Sequence, residues 1–161
     1  MIEIERKFLV QKLPPLSGAV SAVVRQGYVT RPEDSVSLRL RQKGDTYFLT
    51  VKDGEGMVRA ERETEISKAQ FTLFWPLSEG RRLEKTRWTG LLPTGEVFEL
   101  DLFQGPLAGL CLVEVEFDSP EAAAAFQPPE WFGRDVTEDP AFGNRALAAA
   151  GLPKGIMPQG R

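Results

Sequence analysis

Glu3 and Glu5 stand two residues apart near the start of the chain, with Lys7 two further on. The same spacing recurs in Arg39 and Arg41, in Arg59, Glu61 and Glu63, in Lys85 and Arg87, and in Glu114 and Glu116. Lys52 shares the parity of Thr50, and Asp101 that of Glu99 and Phe103. Clustered carboxylates suit a hard divalent cation, and clustered Lys and Arg suit an anion rich in oxygens. The acids (Glu3, Glu5, Glu61, Glu63, Asp101, Glu114, Glu116) and the bases (Lys7, Arg39, Arg41, Lys52, Arg59, Lys85, Arg87) are equal in number, so their charges cancel. A polyphosphate bound to a metal ion is the ligand that uses both.

The rest of the composition narrows the chemistry. The 161 residues include no His and a single Cys, Cys111, which excludes Ser-His-Asp or Cys-His catalysis, a disulfide framework and a Cys-rich zinc site. Any metal must sit on carboxylate oxygen, which favours Mg²⁺ or Mn²⁺. With 20 Lys and Arg against 23 Asp and Glu, the net charge of −3 argues against a protein that coats nucleic acid, and no nucleic-acid partner is expected. The chain is charged from its third residue, and no apolar run approaches the roughly 18 residues needed to cross a bilayer. No membrane partner and a cytoplasmic location are therefore expected, which suits an unpaired Cys.

The elements that must position these charges read mainly as strands. In IEIERKFLV, residues 2 to 10, apolar and polar side chains alternate with period two. Similar runs at 24–30, 35–43, 46–52, 58–66, 83–89, 96–103 and 111–118 are separated by Gly, Asp and Pro. One ionic face on one strand is the ordinary sign of a solvated sheet. Like-charged doublets on five strands are different, because close neighbours of one sign repel and destabilise a sheet unless opposite charge lies between them. About eight antiparallel strands are enough to close a barrel and turn one face of each into a shared interior.

Three helices are expected. Ser67 and Gln70 form a capping-box pattern opening 67–75, with Phe71, Phe74 and Trp75 toward the core and Pro76 as the stop. Ser119-Pro120 opens a second helix to Phe126, and Asp139-Pro140 a third over 140–150, with Gly151 as its end. The fold class is α+β: a closed eight-stranded antiparallel barrel, or tunnel, with flanking helices. One domain over 1–150 and a tail over 151–161 are expected.

Glu3-x-Glu5-x-Lys7 resembles the ExExK signature of the CYTH domain, the triphosphate tunnel metalloenzymes. The later segments follow in family order: QGYV at 26–29, SLRLR at 37–41, YFLTVK at 47–52, RAERE at 59–63, EKTR at 84–87, ELDLFQG at 99–105, LVEVEF at 112–117, and DVTEDPAFGN at 135–144. The resemblance covers about residues 2–150 and is greatest to the bacterial branch that hydrolyses inorganic triphosphate.

That resemblance implies a metal-dependent triphosphatase, with Mg²⁺ or Mn²⁺ as cofactor and a small-molecule triphosphate as substrate. Glu3, Glu5, Asp101, Glu114 and Glu116 are its implied metal ligands. Lys7, Arg39, Arg41, Lys52, Arg59, Lys85 and Arg87 are its implied phosphate contacts, and Lys85, Glu61 and Glu63 its catalytic candidates. Lys85 would stabilise or protonate the leaving diphosphate, while Glu61 and Glu63 would orient water or hold a second metal. Thiamine and nucleoside triphosphatases and class IV adenylate cyclases share the family, so these activities stay open. A non-catalytic polyphosphate-binding module is the alternative of a different class. Related proteins often pair, so a homodimer stays open too. Arg6, Arg62 and Glu65 are expected outside the site, Trp75, Trp88 and Trp131 in packing, and Cys111 as an inert thiol. Tyr28 is as readily placed beside the tunnel as away from it.

Overall fold

The computed structural model describes residues 2–53 and 58–158, the side chains of Val58 and Arg59 excepted. Nine strands form one antiparallel sheet: β1 (Ile2–Val10), β2 (Val20–Tyr28), β3 (Val36–Lys43), β4 (Thr46–Asp53), β5 (Val58–Ile66), β6 (Arg82–Leu91), β7 (Val97–Phe103), β8 (Cys111–Glu116) and β9 (Phe132–Asp135). The order β5-β4-β3-β2-β6-β7-β8-β1 is closed by pairing of β5 with β1, giving an eight-stranded barrel. Among the described residues the closing seam places Ile2, Glu3 and Ile4 opposite Ala60, Arg59 and Val58. Farther along β1, Phe8 and Val10 pair with β9 instead. On its other edge β1 pairs with β8 from Glu5 to Leu9.

The alternation in each strand sorts side chains between the two surfaces of this barrel. Outward residues Phe8, Leu100, Phe98, Val113 and Val115 form an apolar layer with Phe117, Phe126 and Phe132. The helix α2 (Pro120–Ala125) lies over it, capped by Ser119 Oγ, which accepts from the Ala122 N–H. Trp88 and Trp131 pack against the same layer, Trp131 edge-on to Phe98 and Phe132. Arg6 also faces outward, donating to the Ala123 carbonyl and to Asp135 at 2.9 Å each.

A second apolar cluster joins inward residues Leu83, Phe103 and Leu112 with Val136, Phe142 and Leu147 of the C-terminal segment. This segment differs from the single helix expected over 140–150. A 3-10 turn at Pro140–Phe142 ends at Gly143, and α3 (Asn144–Ala150) starts afresh. Phe142 and Leu147 are five residues apart, so one continuous helix would splay them by roughly 140°. The break lets both enter the same cluster.

The helix α1 (Lys68–Phe74) begins with the expected capping box and runs on as a 3-10 turn through Pro76 to Ser78. Phe71 is buried and stacks on Trp75, but Phe74 is 39% exposed rather than in the core. β2 starts four residues before its expected position, because Val20 to Gly27 pair continuously with β6. Among the described residues no helix is long and apolar enough to cross a membrane.

Candidate active site: the charged interior of the barrel

The inward face of the barrel is ionic and lines a cavity of ≈680 Å³. Small eight-stranded barrels are commonly filled by their own side chains. Here the inward chains are long, charged and separated. β1 supplies Glu3, Glu5 and Lys7, β3 Arg39 and Arg41, β4 Lys52, β5 Glu61, β6 Arg87, and β8 Glu114 and Glu116. The lip comes from the 32–35 turn and from 136–146, with Tyr28 beside them.

Register decides which charges meet. Arg39 lies opposite Thr50, and Thr50 opposite Glu63. The Thr50 hydroxyl donates to Glu63 Oε2 at 2.6 Å, and Arg39 Nη2 approaches that oxygen at 3.5 Å and Arg41 Nη2 at 3.7 Å. Glu63 thus braces two guanidinium groups and does not line the cavity. Lys52 faces Glu61 across the β4–β5 ladder, and its Nζ lies 3.2 Å from Glu61 and 3.4 Å from Glu3.

On the other side, Arg87 grips Asp101 through two hydrogen bonds of 2.8 and 2.9 Å and reaches Glu99 at 3.1 Å and Glu114 at 3.3 Å. Lys7 Nζ holds the other oxygen of Glu114 at 3.3 Å and also donates to the Phe142 carbonyl. Lys85 is fully buried and donates to Asp101 at 2.7 Å. Burial drives its ammonium down to about 7, outweighing the attraction of Asp101. Burial alone would raise Asp101, but Arg87 and Lys85 hold it below its ordinary value. Glu114 is likewise held low, by Lys7 and Arg87 acting against its burial.

Two features mark the ligand space. The buried Nε atoms of Arg39 and Arg41 have no hydrogen-bond partner among the described residues. Arg41 is pushed below its usual value by burial and then by the charges of Arg39 and Arg87. This is a basic wall short of anion. Across the cavity, burial followed by the charges of Glu99, Glu61 and Glu114 raises Glu116, and Glu5 stands directly opposite it on the β1–β8 ladder. Glu116 and its neighbour Glu5 form an acidic wall that favours a cation. Buried polar groups without partners are costly, so the two guanidinium Nε donors point to an anionic ligand.

The five acids expected as metal ligands do not form one cage. Glu3, Glu5, Glu114 and Glu116 reach the cavity, but Asp101 lies behind Arg87, saturated by two cations. Among the described residues no three acids converge closely enough to enclose a metal alone. Lys85, expected among the phosphate contacts, also lies behind the wall. The Arg59 side chain falls outside the described residues, and its backbone pairs with Glu3. Cys111 is half-buried, with its thiol raised to about 12 by burial.

Glu99 and Arg145 are among the cavity residues absent from the expected set. Glu99 carries the needed signal, since it lies two residues before Asp101 on the same face. Arg145 carries none in the strand pattern. It reaches the cavity lip only because α3 folds back, where its Nη1 donates to the carbonyls of Asp34 and Val36 at 3.2 and 3.3 Å.

Comparison with known proteins agrees with this architecture. Residues 1–130 match the CYTH domain. An inorganic triphosphatase of Nitrosomonas europaea is 56% identical over 149 residues, covering 92% of this chain and 97% of that protein. Another, from Acetivibrio thermocellus, is 37% identical over 147 residues, 90% of this chain and 92% of that protein. A crystal structure of an inorganic triphosphatase superposes with a TM-score of 0.72 at 50% identity, covering 98% of this chain and 97% of that one. A putative adenylate cyclase from Bacillus halodurans, at 20% identity and a TM-score of 0.55, shares 76% of this chain and 83% of its own in fold alone. With its signature acids on β1 and its charges turned into a closed barrel, this chain belongs to the CYTH domain family.

Proposed function

We propose that the protein hydrolyses inorganic triphosphate to diphosphate and phosphate inside the barrel, with Mg²⁺ or Mn²⁺ as cofactor. The observation that carries this reading is the basic wall of Arg39 and Arg41 on β3, whose buried Nε donors have no partner among the described residues, facing the acids Glu5 on β1 and Glu116 on β8 across the cavity. Triphosphate fits the first wall by its oxygens and the second through a cation. The names of the two relatives with high coverage favour the same substrate.

The acids present suit a divalent ion that keeps part of its shell from water and phosphate, because magnesium sites commonly use only one or two carboxylates. Glu5 and Glu116 are the ligands we assign first, with Glu3 and Glu61 as the pair on the seam and Glu114 limited by its two cations. When bound, the metal neutralises phosphate oxygens and lowers the pKa of a bound water. Arg39 and Arg41 hold the chain of phosphates, and Arg87 and Lys7 extend that grip. Phosphoryl transfer depends on such positioning and charge neutralisation. Water oxygen attacks the terminal phosphorus, the bond to the bridging oxygen breaks, and diphosphate leaves with that oxygen.

Three assignments change with the geometry. Asp101 serves as counter-charge to Arg87 and Lys85 rather than as a metal ligand. Glu63 positions Arg39 and Arg41. Lys85 remains a proton source for the leaving group only through its neighbours, since it has no face on the cavity. We take the functional unit as 1–150, because Pro140, Asn144 and Arg145 line the cavity beyond residue 130 and Phe142 and Leu147 anchor that segment in the apolar cluster. A cytoplasmic location belongs to the same proposal.

Incubation with inorganic triphosphate and Mg²⁺ or Mn²⁺ tests it. One phosphate should appear for each diphosphate, and a chelator should abolish both. Tight binding without products would instead mark a binding module, and conversion of ATP to cyclic AMP would mark a cyclase.

A further inference from the structure

We propose that Lys52 is a built-in counter-cation that competes with the divalent metal for Glu3 and Glu61 and gives way when triphosphate enters. The inference rests on the proposed triphosphatase reading. Lys52 lies one residue before the end of β4, next to the seam that closes the barrel, where Glu61 faces it across the ladder and Glu3 comes in from β1. Its single ammonium lies between the two carboxylates at 3.2 and 3.4 Å. These distances exceed the roughly 2.7–2.9 Å of a firm charge-assisted hydrogen bond.

The contrast with Arg87 is direct. Arg87 holds Asp101 by a two-pronged grip with side chains only 9% and 3% exposed, while Lys52, Glu3 and Glu61 are 18–20% exposed on the cavity wall. Lysine is a point charge on a flexible four-carbon stem, and its grip is easily reoriented. With the cavity holding only water, the ammonium occupies the position that suits a cation and lowers the local demand for metal. Triphosphate oxygens draw the ammonium toward themselves and expose both carboxylates to the metal. Metal and triphosphate therefore bind with positive coupling, and the coupling is reciprocal.

Calorimetric titration with Mn²⁺ alone tests the idea without turnover. Lys52→Met should bind Mn²⁺ more tightly than wild type by on the order of tenfold, the scale of one charge removed from a few ångströms away in partly wet surroundings. Adding Glu61→Gln to that variant should erase the gain, and Lys52→Arg should keep the wild-type affinity. Should Lys52→Met fold poorly, pulse acetylation of the wild type read by mass spectrometry gives a second measure: Lys52 should label faster once Mn²⁺ is added. Equal or weaker Mn²⁺ binding by folded Lys52→Met, or labelling that does not change with Mn²⁺, overturns the inference. Metal-dependent triphosphate hydrolysis alongside that result leaves the triphosphatase reading standing. A wild type that binds no Mn²⁺ and hydrolyses nothing overturns both.

Discussion

At the residue scale the central fact is that buried ions here are paired unequally. Asp101 answers two buried cations, so Asp101→Asn takes from Lys85 its carboxylate partner and leaves Arg87 only Glu99 and Glu114. Breaking a buried ion pair from one side costs about 3–5 kcal/mol. For a chain of this size the melting temperature should drop by roughly 10 °C or more, readable by thermal circular dichroism. The same cluster predicts an acid transition. Asp101 and Glu114 have folded-state pKa values below their ordinary 3.8 and 4.5. Their contribution is therefore complete above those ordinary values and is lost as pH falls further, when the folded state must take up protons it resists. Melting temperature measured from pH 6 to pH 3 should fall below about pH 4.5, and Glu114→Gln should flatten that limb. Which residues face inward was legible in the sequence, because a period of two does not depend on the partner strand. Which acid meets which base was not. The sequence treats Glu99 and Asp101 alike as neighbours on one face, and only the offset between β6 and β7 places Asp101 opposite Arg87 and leaves Glu99 on the cavity wall.

At the scale of elements, the strands with strong alternation were read to within a residue or two, and the weaker ones were not. β9 is four residues long and contains Gly133, so it exists by virtue of the free edge of β1 beside it. The early part of β2 holds Ser21 and Ala22, poor strand signals that the ladder to β6 overrides. The docking of the 3-10 turn Trp75–Ser78 on β2 has a sharper test. A Cβ at Gly27 would come within 2.4 Å of Ser78 Oγ and 2.8 Å of Trp75, so this turn can approach only a glycine. Gly27→Ala should destabilise the protein by about 1–3 kcal/mol, the usual cost of overpacking, as read by urea unfolding. Because Arg81 ties the 3-10 turn to the carbonyls of Tyr28 and Val29, the same variant should also raise KM for triphosphate by disturbing the cavity lip.

At the scale of the molecule, a barrel normally hides its apolar face inside and shows charge outside. This one carries apolar layers on its outer face and at one inner end, and reserves the rest of the interior for ions. The small overall charge therefore says little about the ligand, since the interior acids and bases cancel in the sum although Arg39 and Arg41 on β3 stand away from Glu5 on β1 and Glu116 on β8. Closure of the barrel between β1 and β5 and the folding back of α3 could not be read locally, because both depend on contacts distant in sequence. The claim that the two walls act together on one anion and its cation is tested most directly by steady-state phosphate release from inorganic triphosphate with Mn²⁺. Wild type, Glu5→Gln, Arg41→Ala and the outward-facing control Arg62→Ala should be compared. Each interior variant should lose about a hundredfold or more in kcat/KM, in line with removal of a group that stabilises transition-state charge, while Arg62→Ala keeps wild-type turnover. Wild-type turnover in both Glu5→Gln and Arg41→Ala would contradict the account.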